Sequence, residues 1–253
     1  VTDLDYYAEL LRGSSRIDAF GAAIRAVVRP GDRVLDLGTG LGTYAFLAAR
    51  AGAAKVWAVE RDPIAHVAET LAATNGLAGR VEVLRGDAES MALPDAVDVL
   101  VFEDFPTSLL DERTHALLRH VQKALVPDGT MIPRAAHLCV APVQSEDLHR
   151  QIFPIPADGT DEGWLDLDWR ALRPLLANHP RRRSLPPAAL LAPPLRSGRL
   201  ALRPPPGPEE LRVAGAWDAT TPGTVHALAL WFELEISDRV HLSNEPRDRP
   251  EPW

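Results

Sequence analysis

Val34-Leu35-Asp36-Leu37-Gly38-Thr39-Gly40-Leu41-Gly42 is the stretch that decides the fold. Its first four residues form a short apolar run with one carboxylate, and three glycines on alternate positions follow at once. Such a run entering a glycine cluster reads as a strand buried on both faces. The glycines let the chain turn tightly and let its backbone approach a ligand that a Cβ would keep away. Tyr44 to Ala51 is helix-like, and Gly52 is a helix stop. The turn therefore lies at a helix N-terminus, whose N–H groups face whatever it holds.

The same alternation extends in both directions. Residues 8–28 place Leu10, Leu11, Ile17, Phe20, Ile24, Val27 and Val28 at helical spacing, and Pro30-Gly31-Asp32 ends that helix. Lys55 to Glu60 predicts a second strand. Asp62 then caps a helix with Pro63 in its first turn, running to about Thr74. Val81 to Leu84 is a third strand and Val97 to Phe102 a fourth. Asp111 to Leu125 is helical, and Pro127-Asp128-Gly129 turns into a fifth strand, Thr130 to Ile132. Strand alternating with helix implies parallel pairing through right-handed crossovers. The expected fold class is α/β, a doubly wound Rossmann-like sheet that binds ligands at the carboxyl ends of its strands.

The second half has another character. Residues 1–150 hold 7 prolines and residues 151–253 hold 16. Residues 137–143 and 224–236 read as strands, 211–217 as a further one, and 166–178 as a helix between proline-rich stretches. The expected organisation is an N-terminal helical region (1–28), a nucleotide-type domain (29–133) and a β-rich domain (134–253) with a helical insertion.

Charge and composition exclude several functions. The net charge of −8 leaves no electrostatic footprint for nucleic acid or an anionic membrane. Cys139 is the one cysteine, so no disulfide framework or cysteine-rich zinc site is expected. Histidines and carboxylates show no metal spacing. No apolar run approaches the ~18–20 residues of a membrane span, and no signal-like start is seen, so a cytoplasmic protein is expected. Of the 27 basic residues 25 are arginine, which reads as codon bias.

Carboxylates cluster at the strand ends. Asp36 precedes the turn, Glu60 ends the second strand 18 residues after Gly42, and Asp87 and Glu89 follow the third. Glu60 suits the two hydroxyls of a ribose, and Asp87 and Glu89 stand where an adenine edge lies. A nicotinamide fingerprint needs G-x-G-x-x-G, whereas position 43 is Thr and the third glycine comes one residue early. A ring of acids suits a neutral or cationic adenosyl ligand rather than a pyrophosphate. S-adenosylmethionine, a sulfonium without phosphate, fits.

At this point the sequence resembles the class I S-adenosylmethionine-dependent methyltransferases, and within them the protein arginine methyltransferases, over almost its whole length. The turn Val34–Gly42 is similar to the family's first motif. Ala58-Val59-Glu60-Arg61-Asp62-Pro63 is similar to its second-strand motif, which implies a ribose contact for Glu60 with Arg61 beside it. Gly86-Asp87-Ala88-Glu89 resembles the adenine loop, with Glu89 on the amino group. Arg16 stands where the family binds the methionine carboxylate. The resemblance thus implies a cofactor site of Arg16, Asp36, Gly38, Thr39, Gly40, Gly42, Glu60, Arg61, Asp87, Ala88, Glu89 and Glu103. Glu103 and Glu112, nine residues apart, match two glutamates that grip the substrate guanidinium. A planar cation with five donors is held in a fixed plane by two carboxylates, which aims one nitrogen at the methyl group. Glu112 also reads as an acid favoured by a helix dipole. Pro127 to Pro133 resembles the exit from the cofactor domain, residues 225–236 a strand of the family's β-barrel, and 163–180 its helical dimerisation arm. The last implies a homodimer.

The acceptor side departs from the family pattern. Asp104-Phe105-Pro106-Thr107 replaces an aromatic and glycine-rich loop, and Pro252 stands before Trp253 where the family has an active-site histidine. Gly13 replaces a usual aspartate and Tyr7 a common histidine. By the resemblance a member would begin before Val1 and continue past Trp253. Trp164 and Trp169 read as interface aromatics in the insertion, and Arg181-Arg182-Arg183 as a solvated loop. The readings left open are an arginine methyltransferase, a methyltransferase for another nucleophile such as a natural-product intermediate, a non-catalytic cofactor-binding scaffold, and a nicotinamide oxidoreductase.

Overall fold

The computed structural model describes residues 4–12, 14–94, 96–106, 108–152, 169, 171–207 and 209–247. The expectations placed on Gly13, Thr107, 163–168 with Trp164, and Glu251-Pro252-Trp253 lie outside the described residues.

Five strands form the first sheet: β1 (Arg33–Leu37), β2 (Lys55–Glu60), β3 (Val81–Arg85), β4 (Val97–Phe102) and β5 (Leu125–Ile132). Every pairing is parallel, in the order β3-β2-β1-β4-β5. The doubly wound reading holds. The order reverses between β1 and β4, which opens a crevice there. Register places its contents. Leu37 pairs with both Val59 and Phe102, so Gly38, Glu60 and Glu103 emerge side by side from three adjacent strands.

The helices are α1 (Leu4–Arg12), α2 (Ser14–Val27), α3 (Thr43–Ala51), α4 (Ala65–Thr74) and α5 (Glu112–Val121). The single helix expected over 8–28 is two helices, α1 and α2. Helix α3 buries Ala45, Ala48 and Ala49, and such small side chains let its axis lie close to the sheet. Gly52, at φ 114°, ends it as expected, with its N–H returned to Ala48 and Ala49. Asp62 is not the N-cap of α4. Glu60 takes the Asp62 N–H at 2.9 Å, and the chain makes a tight turn closed by Ala65 N–H to the Asp62 carbonyl before α4 begins. Helix α5 has a side-chain cap instead, with Asp111 accepting from Thr114 N at 2.7 Å.

Beyond Pro133 a second sheet is antiparallel. β6 (Ala135–Val143) is its centre, flanked by β9 (Ala227–Glu235) along its full length and by the short β7 (Leu195–Arg196) and β8 (Leu200–Ala201); β10 (His241–Ser243) pairs with β9. Residues 211–217 have no strand partner among the described residues, so the strand expected there is not formed. Of the helix expected at 166–178, the described part is α7 (Leu172–Ala177); a short α6 (Glu146–Ile152) precedes it. The two sheets share one core. Leu200, Leu202, Phe232, Leu234 and Ile236 of the second half join the cluster that contains Leu35, Leu100 and Ile132 of the first. No helix among the described residues is long and apolar enough to cross a membrane.

Candidate active site at the strand ends

The glycine turn is braced from beneath. Asp36 is 2% exposed, and one of its oxygens accepts from Thr39 Oγ1 at 2.6 Å and from Ala45 N at 3.1 Å. A single carboxylate thereby ties β1, the turn and the first turn of α3. Burial, reinforced by the nearby Glu60 charge, pushes the Asp36 carboxyl up to about 7, against the two hydrogen bonds. From the side, Gly38 and Thr39 N–H both donate to the Val59 carbonyl at 3.0 Å. Gly40 is left-handed at φ 53°, and a Cβ there would lie 2.9 Å from the Tyr7 ring of α1. Thus α1 packs on the turn only because position 40 lacks a side chain.

Glu60, 7% exposed, reaches back across the turn. One carboxylate oxygen accepts from Gly40 N and the other from Asp62 N, both at 2.9 Å. The residue expected on a ribose therefore also shapes the loop beside it. Arg61 is exposed at the end of β2.

Glu103 follows β4. Its carboxylate lies 2.7 Å from Arg16 Nη1 of α2, and Arg16 is 6% exposed. Burial pushes the Glu103 carboxyl up to about 7; Arg16 opposes this, while Asp104 and Asp36 add to it. A half-open space of about 70 Å³ lies among Tyr7, Leu10, Arg16, Gly38, Thr39 and Glu103. The loop after Glu103 is held by rings. Phe105 meets Phe102 edge-on at 4.7 Å and Phe232 of β9 at 6.3 Å. Burying such a ring contributes about 1.5–3 kcal/mol, enough to fix the loop between the two sheets.

Two pairs of expected site acids have the following surroundings. Glu112 stands exposed in the first turn of α5, and the charges acting on Glu103 are Arg16, Asp104 and Asp36. The structure thus brings Glu103 together with Arg16, and does not bring Glu112 onto Glu103. Asp87 and Glu89 are engaged by Arg113 of α5: its Nε is 2.5 Å from Glu89 Oε1 and its Nη2 3.5 Å from Asp87 Oδ2. Ala88 is buried between them.

Sequence reasoning missed the contacts of Tyr7 and the role of Arg113. Tyr7 carries no local signal, since its partner Gly40 is remote in the chain. Arg113 did carry one: a cation in the first turn of a helix opposes the helix dipole unless acids answer it. A second hollow, about 410 Å³, lies between α2 and the antiparallel sheet. Within it Arg196 pairs with Glu233, and His137 Nε2 lies 3.1 Å from Glu235.

Comparison with known proteins places this geometry. A family model described as a methyltransferase domain matches residues 34–129, which run from β1 into β5. The arginine N(omega)-methyltransferase of Streptomyces achromogenes subsp. streptozoticus is 31% identical over 255 residues, covering 98% of this chain and 69% of that protein. The histone-arginine methyltransferase CARMER of Anopheles gambiae is 41% identical over 120 residues, 47% of this chain; the chain spans about a fifth of that relative's length (19%). Among solved structures, Arabidopsis thaliana protein arginine methyltransferase 10 has a TM-score of 0.75 at 25% identity, over 96% of this chain and 78% of that one. The Trypanosoma brucei PRMT1 enzyme–prozyme heterotetrameric complex with AdoHcy has a TM-score of 0.81 at 21% identity, over 97% and 78%, a likeness of fold. With a glycine turn, a strand-end acid and an arginine–glutamate pair at the switch point, and a relative matched along nearly the whole chain, the protein belongs to the arginine methyltransferases, a family of class I S-adenosylmethionine-dependent methyltransferases.

Proposed function

We propose that the protein transfers a methyl group from S-adenosylmethionine to a guanidinium nitrogen of arginine in a protein or peptide. The observation that carries this reading is the Arg16–Glu103 pair beside the glycine turn. It sets one cation and one carboxylate where a methionine carboxylate and an acceptor guanidinium must meet.

The donor set fits the cofactor. Arg16 would hold the methionine carboxylate, the Gly38–Gly42 backbone the amino-acid end, Glu60 the ribose diol, and the Asp87-Ala88-Glu89 segment the adenine edge. The 70 Å³ space under Tyr7 suits only the methionine end; the nucleoside would extend along the strand ends towards Glu60 and Glu89. When bound, the cofactor supplies a sulfonium-activated methyl group. The protein's own work is then orientation and charge. Glu103 would fix the plane of the guanidinium and favour the cation as it approaches, and Glu112, exposed on α5, would help to hold the acceptor. A carboxyl that titrates near neutrality also suits the proton that the methylated nitrogen sheds.

Glu60→Ala is expected to weaken S-adenosylhomocysteine binding by roughly 100-fold in isothermal titration, since two charge-assisted hydrogen bonds are lost. Glu60→Gln, which can still accept from Gly40 or Asp62, should retain a larger share. Unchanged binding in both variants removes the cofactor assignment. The acceptor is tested by mass spectrometry of arginine peptides, and methylation on another residue type refutes it. Free arginine belongs in the same assay, because the relative matched along the whole chain is named for arginine and its Nω rather than for a protein. The same reading makes the antiparallel sheet part of a substrate-binding β-barrel, the 163–180 insertion a homodimer contact, and the cytoplasm the site of action. Size-exclusion chromatography with light scattering, with and without that insertion, checks the dimer.

A further inference from the structure

Arg113 joins the two halves of the candidate site. It is the second residue of α5, directly after Glu112. Its guanidinium reaches out of the helix to the loop after β3, with Nε 2.5 Å from Glu89 and Nη2 3.5 Å from Asp87. That loop is itself stiff. Asp87 Oδ1 accepts from Glu89 N at 3.0 Å, and the Asp87 carbonyl accepts from Ser90 N and Met91 N. The anchor is therefore firm and the held element is the start of α5. The position is costly without its partners, because a cation in the first helical turn faces the positive end of the dipole. Asp87, Glu89 and the cap Asp111 all favour the Arg113 charge. The first turn of α5 is thus tied by the Asp111 cap to Thr114 N and by this guanidinium to the loop after β3, and Glu112 lies on that turn.

We propose that Arg113 is a positioning residue that couples occupancy of the adenine side of the site to the placement of Glu112 on the acceptor side. The inference rests on the cofactor reading above. Glu89 has two oxygens with four acceptor positions, and Arg113 Nε lies against only one of those oxygens. An adenine amino group on the other oxygen would make Glu89 a bridge between nucleoside and α5. Fixing Glu89 then fixes Arg113, and with it the helix start that carries Glu112. Coupling of this kind is reciprocal, so an acceptor held by Glu112 would also favour the bound cofactor.

The test is hydrogen exchange of residues 112–118 with and without S-adenosylhomocysteine, after titration has established its binding. In the unmodified protein the ligand is expected to slow exchange there at least about fivefold. In Arg113→Met, which keeps the length of this half-exposed side chain, the ligand should still bind within about threefold, with that protection gone. Arg113→Lys should restore part of it, because a point charge can meet one carboxylate but not span two. In turnover Arg113→Met should raise the acceptor KM more than the cofactor KM. Ligand binding with no slowing of 112–118, or equal slowing in Arg113→Met, overturns the coupling and leaves the cofactor reading intact. Failure of S-adenosylhomocysteine to bind the unmodified protein overturns both.

Discussion

Glu103→Gln is expected to lower kcat for methyl transfer to an arginine peptide by about 10²–10³-fold, the usual effect of removing one preorganised group that answers charge in the transition state. The substitution keeps shape and hydrogen-bonding capacity, so it separates charge from packing. Arg16 Nη1 sits 2.7 Å from the carboxylate, and the amide oxygen of the variant side chain could still accept from it. S-adenosylhomocysteine binding should therefore change by less than about tenfold, since Arg16 stays in place. The pH profile adds a sharper mark. Burial raises the Glu103 carboxyl to about 7, with Asp104 and Asp36 adding to it. The group is mostly neutral below that pH, so kcat/KM should climb as pH rises through about 7 and then level, as it reports groups of the free enzyme. A bound guanidinium would favour the ionised form, so the same limb in kcat should lie at lower pH. The Glu103→Gln variant should lack this limb. Activity within threefold of the unmodified enzyme, or an unchanged limb, would sink the assignment. Glu112→Gln gives the contrast: from its exposed place in α5 its expected effect falls mainly on the acceptor KM, through ground-state holding.

The parallel sheet was legible because each strand is a short apolar run between strong breakers, and both its faces are covered. Gly38, Gly40 and Gly42 announce the turn because left-handed backbone is cheap only for glycine. What the sequence did not show is long-range or competitive. Tyr7 meets Gly40 only after α1 folds over the turn. Asp62 lost its capping role to a tight turn whose N–H goes to Glu60. Residues 211–217 read as a strand, yet β6 is already paired with β7, β8 and β9, and the strands at the ends of that sheet are the two-residue β7 and the three-residue β10. The roles within the site were legible in kind. Resemblance put Arg16 and Glu103 in one site, and they form an ion pair. Spacing alone could not say that Glu103 turns towards Arg16 while Glu112 faces outward.

Asp36 provides the second large effect, this time on stability. Its carboxyl is buried, holds Thr39 and Ala45, and is raised from the ordinary 3.8 to about 7. A raised folded-state value means that the folded protein binds this proton more tightly than the unfolded chain. The associated stabilisation is present in full below the unfolded value and is lost as pH rises through about 7, reaching at most roughly 4 kcal/mol. Glu103 acts in the same direction over the same range. Stability is therefore expected to fall between about pH 4 and about pH 8, the opposite of a carboxylate held by a salt bridge. Asp36→Asn mimics the protonated acid, because one amide oxygen can accept from both Thr39 Oγ1 and Ala45 N, which already share a single Asp36 oxygen. That variant should lose much of the fall with pH, and at the upper end of the range it should unfold at higher urea than the parent. Glu103→Gln should remove a further share, and the two effects should be less than additive, because Asp36 bears on Glu103 through its charge. Urea unfolding of the parent, both single variants and the double variant at the two pH values measures this. Parallel pH dependence in the parent and Asp36→Asn would show that Asp36 is ionised throughout, and that the turn is braced by a full charge rather than by an acid that gives up its proton near neutrality.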